Sequence, residues 1–198
     1  MSRFYHKWMI VGISFINLAV SYGLNFSFSI FFVAILEEFR WSRASIAGAF
    51  SISTLLLGIS SWFVGRLIDR FGPRKILIVG VFILCFSTIA SGWIRELWHL
   101  YALFGVLMAI GRSGLGWVPH SVLLFSWFVE KRGTMVGIVF SGMGIGILII
   151  GPISQFLISW YGWRIAYMFL GLMGLVLLLP LNCILPGIPG EKEGFAGD

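Results

Sequence analysis

The chain alternates between long apolar runs and short polar interruptions, and the runs are longer than a soluble core requires. Six segments reach the ~20 predominantly apolar residues that a helix needs to cross hydrocarbon. They fall at about 8–36, 44–65, 75–93, 97–127, 134–160 and 165–185. Helix is the state predicted for each, because unpaired backbone groups cannot face lipid and barrel strands would alternate polar with apolar positions. The expected fold class is an all-α membrane protein, with six transmembrane helices in residues 1–185. Residues 186–198, with Gly, Pro and Glu-Lys-Glu, read as a solvated tail or linker without a fold of its own. The first run is far longer than a signal-peptide core and ends in Glu37-Glu38 rather than a small-residue cleavage site, so it reads as a retained span.

Composition supports this reading. Of 198 residues, 59% are hydrophobic and 11% charged, more apolar surface than a soluble domain of this size could hide. The formal charge of +6 does not point to nucleic acid, because the cations sit in short turns and form no continuous basic face. Their placement sets topology instead. One side carries Arg3, Lys7, Arg66, Arg70, Arg74, Lys75, Lys131, Arg132 and Lys192; the other carries Arg40, Arg43, Arg95 and Arg164. The positive-inside bias then places both termini in the cytoplasm of a multi-pass protein of the plasma or inner membrane. Cys85 and Cys183 lie in apolar segments without Cys or His neighbours at metal-ligand spacing, and read as small hydrophobes. No metal, cofactor or catalytic constellation is expected. The chain has no phosphate-binding loop of the Walker type, which argues against ATP hydrolysis.

Turn patterns recur at half the chain's length. Phe39-x-x-x-Arg43-x-x-x-x-Gly48 matches Phe128-x-x-x-Arg132-x-x-x-x-Gly137, and Phe50-Ser51 matches Phe140-Ser141. Phe71-Gly72-x-Arg74 matches Tyr161-Gly162-x-Arg164. The offset of 89 or 90 residues contains three spans, and an odd number inverts the second copy in the membrane. Residues 8–93 and 97–185 are therefore expected to be two inverted three-helix repeats.

The densest polar interruption is Gly65-Arg66-Leu67-Ile68-Asp69-Arg70-Phe71-Gly72-Pro73-Arg74-Lys75. It resembles the signature loop between the second and third helices of the major facilitator superfamily, with Gly, Asp, Arg, Gly, Arg and Lys at the family's spacing. Gly65, Asp69, Arg70, Gly72 and Arg74 are the candidate cytoplasmic gate. Asp69 with Arg70 and Arg74 forms a charge cluster that could hold helix ends in one state, Gly65 permits close helix approach, and Gly72-Pro73 turns the chain. The alternative is topology determination by positive charge alone.

Arg112 stands midway along the fourth span, where an arginine costs roughly 2.5–3.5 kcal/mol on insertion scales. Two roles are open to it: a structural tie to the first helix, or contact with an anionic ligand. Gly116, Pro119 and His120 follow it, and His120 reads either as a packing residue or as a proton carrier. The first span carries Asn17, Ser21, Asn25 and Ser29 at intervals of four, beside Tyr22. That stripe fits either a cavity lining or interhelical hydrogen bonding. Arg112, Asn25, Tyr22 and His120 are the candidate substrate contacts. Span five is glycine-rich and loosely resembles the superfamily's antiporter motif ending in Gly-Pro, although the preceding glycine is one residue out of register.

Tyr22-Gly23, Leu36-Glu37-Glu38-Phe39-x-Trp41-Ser42-Arg43, Trp127-Phe128-x-x-x-Arg132-Gly133 and Tyr161-Gly162-Trp163-Arg164 together resemble the monocarboxylate porter and oxalate/formate antiporter branch of that superfamily. The resemblance implies secondary transport of a small organic anion by alternating access, coupled to protons or to exchange. Family members have twelve spans, so six correspond to the amino-terminal half, with a second six-helix half as partner. The rival readings are a non-transporting membrane subunit or remnant, and a drug or lipid exporter on the same scaffold.

Overall fold

The computed structural model describes residues 2–128 and 132–186, with side chains from residue 5 onward. Residues 187–198 of the expected tail, together with Lys131 and Lys192, lie outside the described residues. Among the described residues every regular element is helical. Five stretches are long and apolar enough to cross a membrane: Tyr5–Phe39, Arg43–Phe71, Pro73–Trp93, Leu97–Trp127 and Arg132–Ile184. The chain is therefore a multi-pass, all-α membrane protein.

The first stretch is two helices, α1 (Ser2–Phe26) and α2 (Phe28–Phe39), separated at Ser27. The Ser27 hydroxyl donates to the Gly23 carbonyl at 2.6 Å, the back-bonding that bends helices. Arg40 ends α2 in the left-handed region (φ 53°), and its N–H donates to the Leu36 carbonyl. Helix α3 (Arg43–Phe71) starts behind Ser42, whose hydroxyl accepts from the Ser45 N–H at 3.0 Å, an N-cap. Gly72 (φ 79°, ψ 155°) stops α3, and Pro73 opens α4 (Pro73–Ala90), which ends in a 3₁₀ turn, Ser91–Trp93. A proline at the first helical position loses no intrahelical bond.

The fourth stretch is the least regular. It runs α5 (Leu97–Leu100), π-helical Tyr101–Leu107 and α6 (Met108–Gly114), breaks at Leu115-Gly116, and resumes as α7 (Trp117–Trp127). The last stretch, α8 (Arg132–Ile184), holds 53 residues. At 1.5 Å per residue that is about 80 Å, well over twice the hydrocarbon thickness. Gly162 (φ 81°, ψ 159°) interrupts it with non-helical backbone, between the two spans expected at 134–160 and 165–185.

Small residues set the register. The first part of α8 lies close on α1, with Gly142 against the Phe15 backbone, Gly146 against the Ala19 backbone, and the Ile150 side chain against Gly23. The hydroxyls of Ser27 and Ser154 meet at 3.1 Å, again 127 residues apart. A constant separation means that the two helices run parallel. A Cβ on Gly146 would overlap the Ala19 backbone, so only glycine allows this approach. The end of α8 runs antiparallel to α4 instead: Gly92 lies against Met168, Ile89 against Gly171, and Cys85 against Gly174. Inside, Phe28 stacks on Phe104 (centroids 3.9 Å apart) and Phe31 on Tyr167 (3.7 Å). Large apolar side chains such as Leu55, Trp62, Leu148 and Phe156 are exposed, as expected where lipid or another bundle is the neighbour.

Candidate functional site

The breaks near Ser27 and Gly116 flank the most polar part of the interior. Helix α6 carries Arg112 into the bundle, where it is only 6% exposed. Its Nη1 donates to Asn25 Oδ1 of α1 at 2.6 Å, and its guanidinium carbon lies 5.5 Å from the centroid of the Tyr22 ring. Its Nε is buried without a hydrogen-bond partner among the described residues. The structure thus brings together Arg112, Asn25 and Tyr22, three of the four expected substrate contacts. Among the described residues the cation has the Asn25 hydrogen bond and the Tyr22 ring face as support and is in no ion pair. An arginine so placed attracts an anion, and Asn25 can be exchanged for a ligand oxygen without separating an ion pair. The fourth residue, His120 of α7, is fully buried, but no hydrogen bond or ring contact joins it to this cluster.

The polar stripe of the first span divides. Asn17 forms a reciprocal amide pair with Asn182 near the end of α8, at 2.9 and 2.8 Å, and is wholly buried. It ties two helices. Ser21 is buried, and Ser29 is exposed and bonded to the Phe26 carbonyl.

In the charged turn, Arg74 donates to the backbone carbonyl of Cys183 at the end of α8. Arg66 stacks on Trp62 at 3.8 Å, and Arg70 lies 5.2 Å from the Phe71 ring. Asp69 is exposed, and among the described residues it is in no ion pair. Gly65 has open space where a Cβ would stand, so it makes no close helix approach within the described residues. Gly72 holds the positive φ that turns α3 into α4.

At the opposite end, Arg164 pairs with Glu38 and donates to the Ile94 carbonyl at 3.1 Å, while the Trp163 indole N–H also donates to Glu38. This cluster joins the tip of α2, the turn after α4, and α8 just past its break.

The Major Facilitator Superfamily model matches residues 14–197, nearly the whole chain. The chain belongs to the Major Facilitator Superfamily. Among curated relatives, human monocarboxylate transporter 14 is 28% identical over 191 residues, covering 96% of this chain and 37% of that protein. Human monocarboxylate transporter 11 is 30% identical over 192 residues, covering 92% of this chain and 39% of that protein. An uncharacterised MFS-type transporter of Bacillus subtilis, YcxA, is 29% identical over 175 residues, covering 88% and 43%. This facilitator chain therefore spans about two fifths of the length of these relatives. A solved bacterial homologue of the human lysosomal transporter Spinster, inward-facing and unoccupied, superposes with a TM-score of 0.73 at 20% identity. It covers 94% of this chain and 44% of that one, a likeness of fold alone.

Two polar groupings in the facilitator chain escaped the sequence reading. Asn182 is a single amide in an apolar run, and nothing local marks its partner 165 residues away. Glu38 and Arg164 stood in the loop strings, but nothing local paired the two. The turn repeat was the available signal, since it makes Arg164 the counterpart of Arg74 and so predicts a second arginine docked on a helix end.

Proposed function

We propose that this chain is the amino-terminal half of a secondary carrier for a small, monocarboxylate-like organic anion, working by alternating access without catalytic chemistry. In this reading α8 crosses the membrane twice, giving six crossings as two inverted three-helix repeats, 8–93 and 97–185. Recurrent geometry supports the repeat. Helices start at Arg43 and Arg132, and the first crossing of each copy breaks at Ser27 or Gly116. Gly72 and Gly162 share one positive-φ conformation. Both termini are then cytoplasmic, and a second six-helix half packs on the exposed apolar faces of α3 and the first part of α8. Asp69, exposed and without an ion pair among the described residues, is available to that half as part of the cytoplasmic latch.

The observation that carries the anion reading is Arg112, buried in a span and held by the neutral Asn25 rather than by a carboxylate. Inserting a lone cation costs several kcal/mol, and a structural tie would be met by an uncharged donor. Proton coupling and exchange are the two driving modes consistent with the relatives' type. The test is uptake of labelled lactate, formate and oxalate into proteoliposomes. Arg112→Ala and Arg112→Lys should insert normally and lose transport by about tenfold or more, as expected for truncating a buried charge contact. A drug or lipid exporter would barely notice either change, and a non-transporting subunit would carry none of the three anions.

A further inference from the structure

Between the Arg112 cluster and the cation-rich end of the bundle, one seam collects buried polar atoms without a well-formed hydrogen bond among the described residues. They are Arg112 Nε on α6, Ser14 Oγ and Ser21 Oγ on α1, and Trp127 Nε1 and both ring nitrogens of His120 on α7, where the imidazole lies beside the Leu115 carbonyl without good hydrogen-bond geometry. Helix geometry shows that they face one another. At about 100° per residue, Lys7, Ser14, Ser21 and Asn25 share one face of α1 to within about 40°. Both ends of that face are located: Lys7 lies over the Phe128 ring (5.5 Å), and Asn25 bonds Arg112. Ser14, within about 20° of both, therefore faces α6 and α7, and Ser21 lies between that face and Asn17, which bonds α8. On α7, His120 and Trp127 are seven residues apart, so they too share a face to within about 20°. Trp127 stacks on His6 of α1 at 6.3 Å, which turns that face toward α1. Interpolating between the Asn25–Arg112 and His6–Trp127 contacts puts His120 level with Ser14.

A buried polar atom without a partner costs about 1–3 kcal/mol, and six along one seam is more than a membrane bundle tolerates unless water bridges them. We propose that α1 and α6–α7 enclose a hydrated hydrogen-bond seam that carries protons between the Arg112 site and the cation-rich face, with His120 as its relay residue. A neutral imidazole offers one donor and one acceptor, so a proton can arrive at one nitrogen as another leaves from its mate. The ring then ends uncharged with its tautomer reversed, and rotation resets it. Ser14, Ser21 and bridging waters supply the neighbouring donors and acceptors. Arg112 is the only formal charge inside the spans packed around His120. On α1 none lies between Lys7 and Glu37, on α3 none between Arg43 and Arg66, on α4 none after Lys75, and on α8 none between Arg132 and Arg164 or from there to Ile184. Cys85, Tyr22 and Tyr167 are other titratable groups of those spans near the bundle interior, and His6 lies against Trp127 at the cation-rich end. Between His6 and Arg112 the seam thus passes protons and stores none.

This inference rests on the anion-carrier reading for its cargo, so its test has two arms. In proteoliposomes of the intact protein holding a pH-sensitive dye, labelled lactate should enter with protons. His120→Phe should lower proton entry and net uptake by about tenfold or more, while lactate–lactate exchange stays within about twofold. Ser14→Ala, a smaller change, should lower proton entry in the same direction. Unchanged proton entry in both variants, or lactate uptake without protons in the unmodified protein, overturns the relay. A transport-free arm uses hydroxyl radicals generated by a brief X-ray pulse, which mark side chains that touch water. His120 and Trp127 should be labelled well above Phe104 and Met108, which are fully buried and apolar. Labelling of His120 no greater than of Phe104 means a dry seam and overturns the proposal, even if no lactate is carried. No lactate transport with strong His120 labelling removes the anion reading and leaves the hydrated seam standing.

Discussion

The turn at Gly72 and the turn at Gly162 use one backbone device for different degrees of hold. Each glycine sits near φ 80°, each is followed two residues later by an arginine, and each arginine donates to a carbonyl at the end of a distant helix. Arg74 reaches Cys183 and Arg164 reaches Ile94, so donors are 90 residues apart and acceptors 89. Cations at helix carboxyl ends satisfy orphan carbonyls and the dipole together. The difference lies in what surrounds the arginine. Arg164 has Glu38, shared with the Trp163 indole, and stacks on that ring at 4.3 Å. Arg74 has its carbonyl and, among the described residues, no carboxylate; the position 89 residues after Glu38 is Trp127. Arg164 is therefore clasped by charge, aromatic stacking and hydrogen bonds, and Arg74, among the described residues, by a hydrogen bond.

The likeness of the two glycines can be broken most directly. Gly72→Ala and Gly162→Ala should each destabilise by about 1–2 kcal/mol, and by similar amounts, because an L side chain at that φ is strained in either copy. The readout is maleimide labelling of buried Cys85 during thermal unfolding, with exposed Cys183 replaced by serine. A large effect at one glycine and none at the other would show that the turns are not equivalent. The unlikeness of the arginines is the next largest effect. Arg164→Ala should cost about 1–1.5 kcal/mol and Arg74→Ala about 0.5 kcal/mol, the Glu38 pair being discounted for its exposure to solvent. Raising the salt concentration should narrow that gap, and equal losses at low salt would remove the distinction. Smallest, and opposite in sign, is Gly65→Ala. With open space around the site it should stabilise α3 by about 0.5 kcal/mol or more, as alanine does for glycine in a helix. Destabilisation would place a close neighbour at Gly65.

The helical class, the long apolar stretches and the loop charges were legible in the chain because lipid imposes a one-dimensional rule: about twenty apolar residues per crossing, polar groups at the ends. The breaks were partly legible, since Gly162 and Gly72 sit in repeated strings whereas Ser27 has no comparable local mark. Arg112 announced itself by its depth in an apolar run. Its partner did not, because Asn25 lies 87 residues away and shares its stripe with Asn17, which binds Asn182 instead.

Amino-acid order alone marked the stretches apolar enough to cross lipid and the residues that are expensive to bury, since both depend on composition within a window of one helix. Which expensive residues meet was decided by packing. The glycine contacts between α1 and α8 fix rotation and register, and a rotation of one residue, about 100°, would exchange Asn25 for another side chain opposite Arg112. Pairing across a bundle depends on those angles, and no local pattern in the chain encodes them.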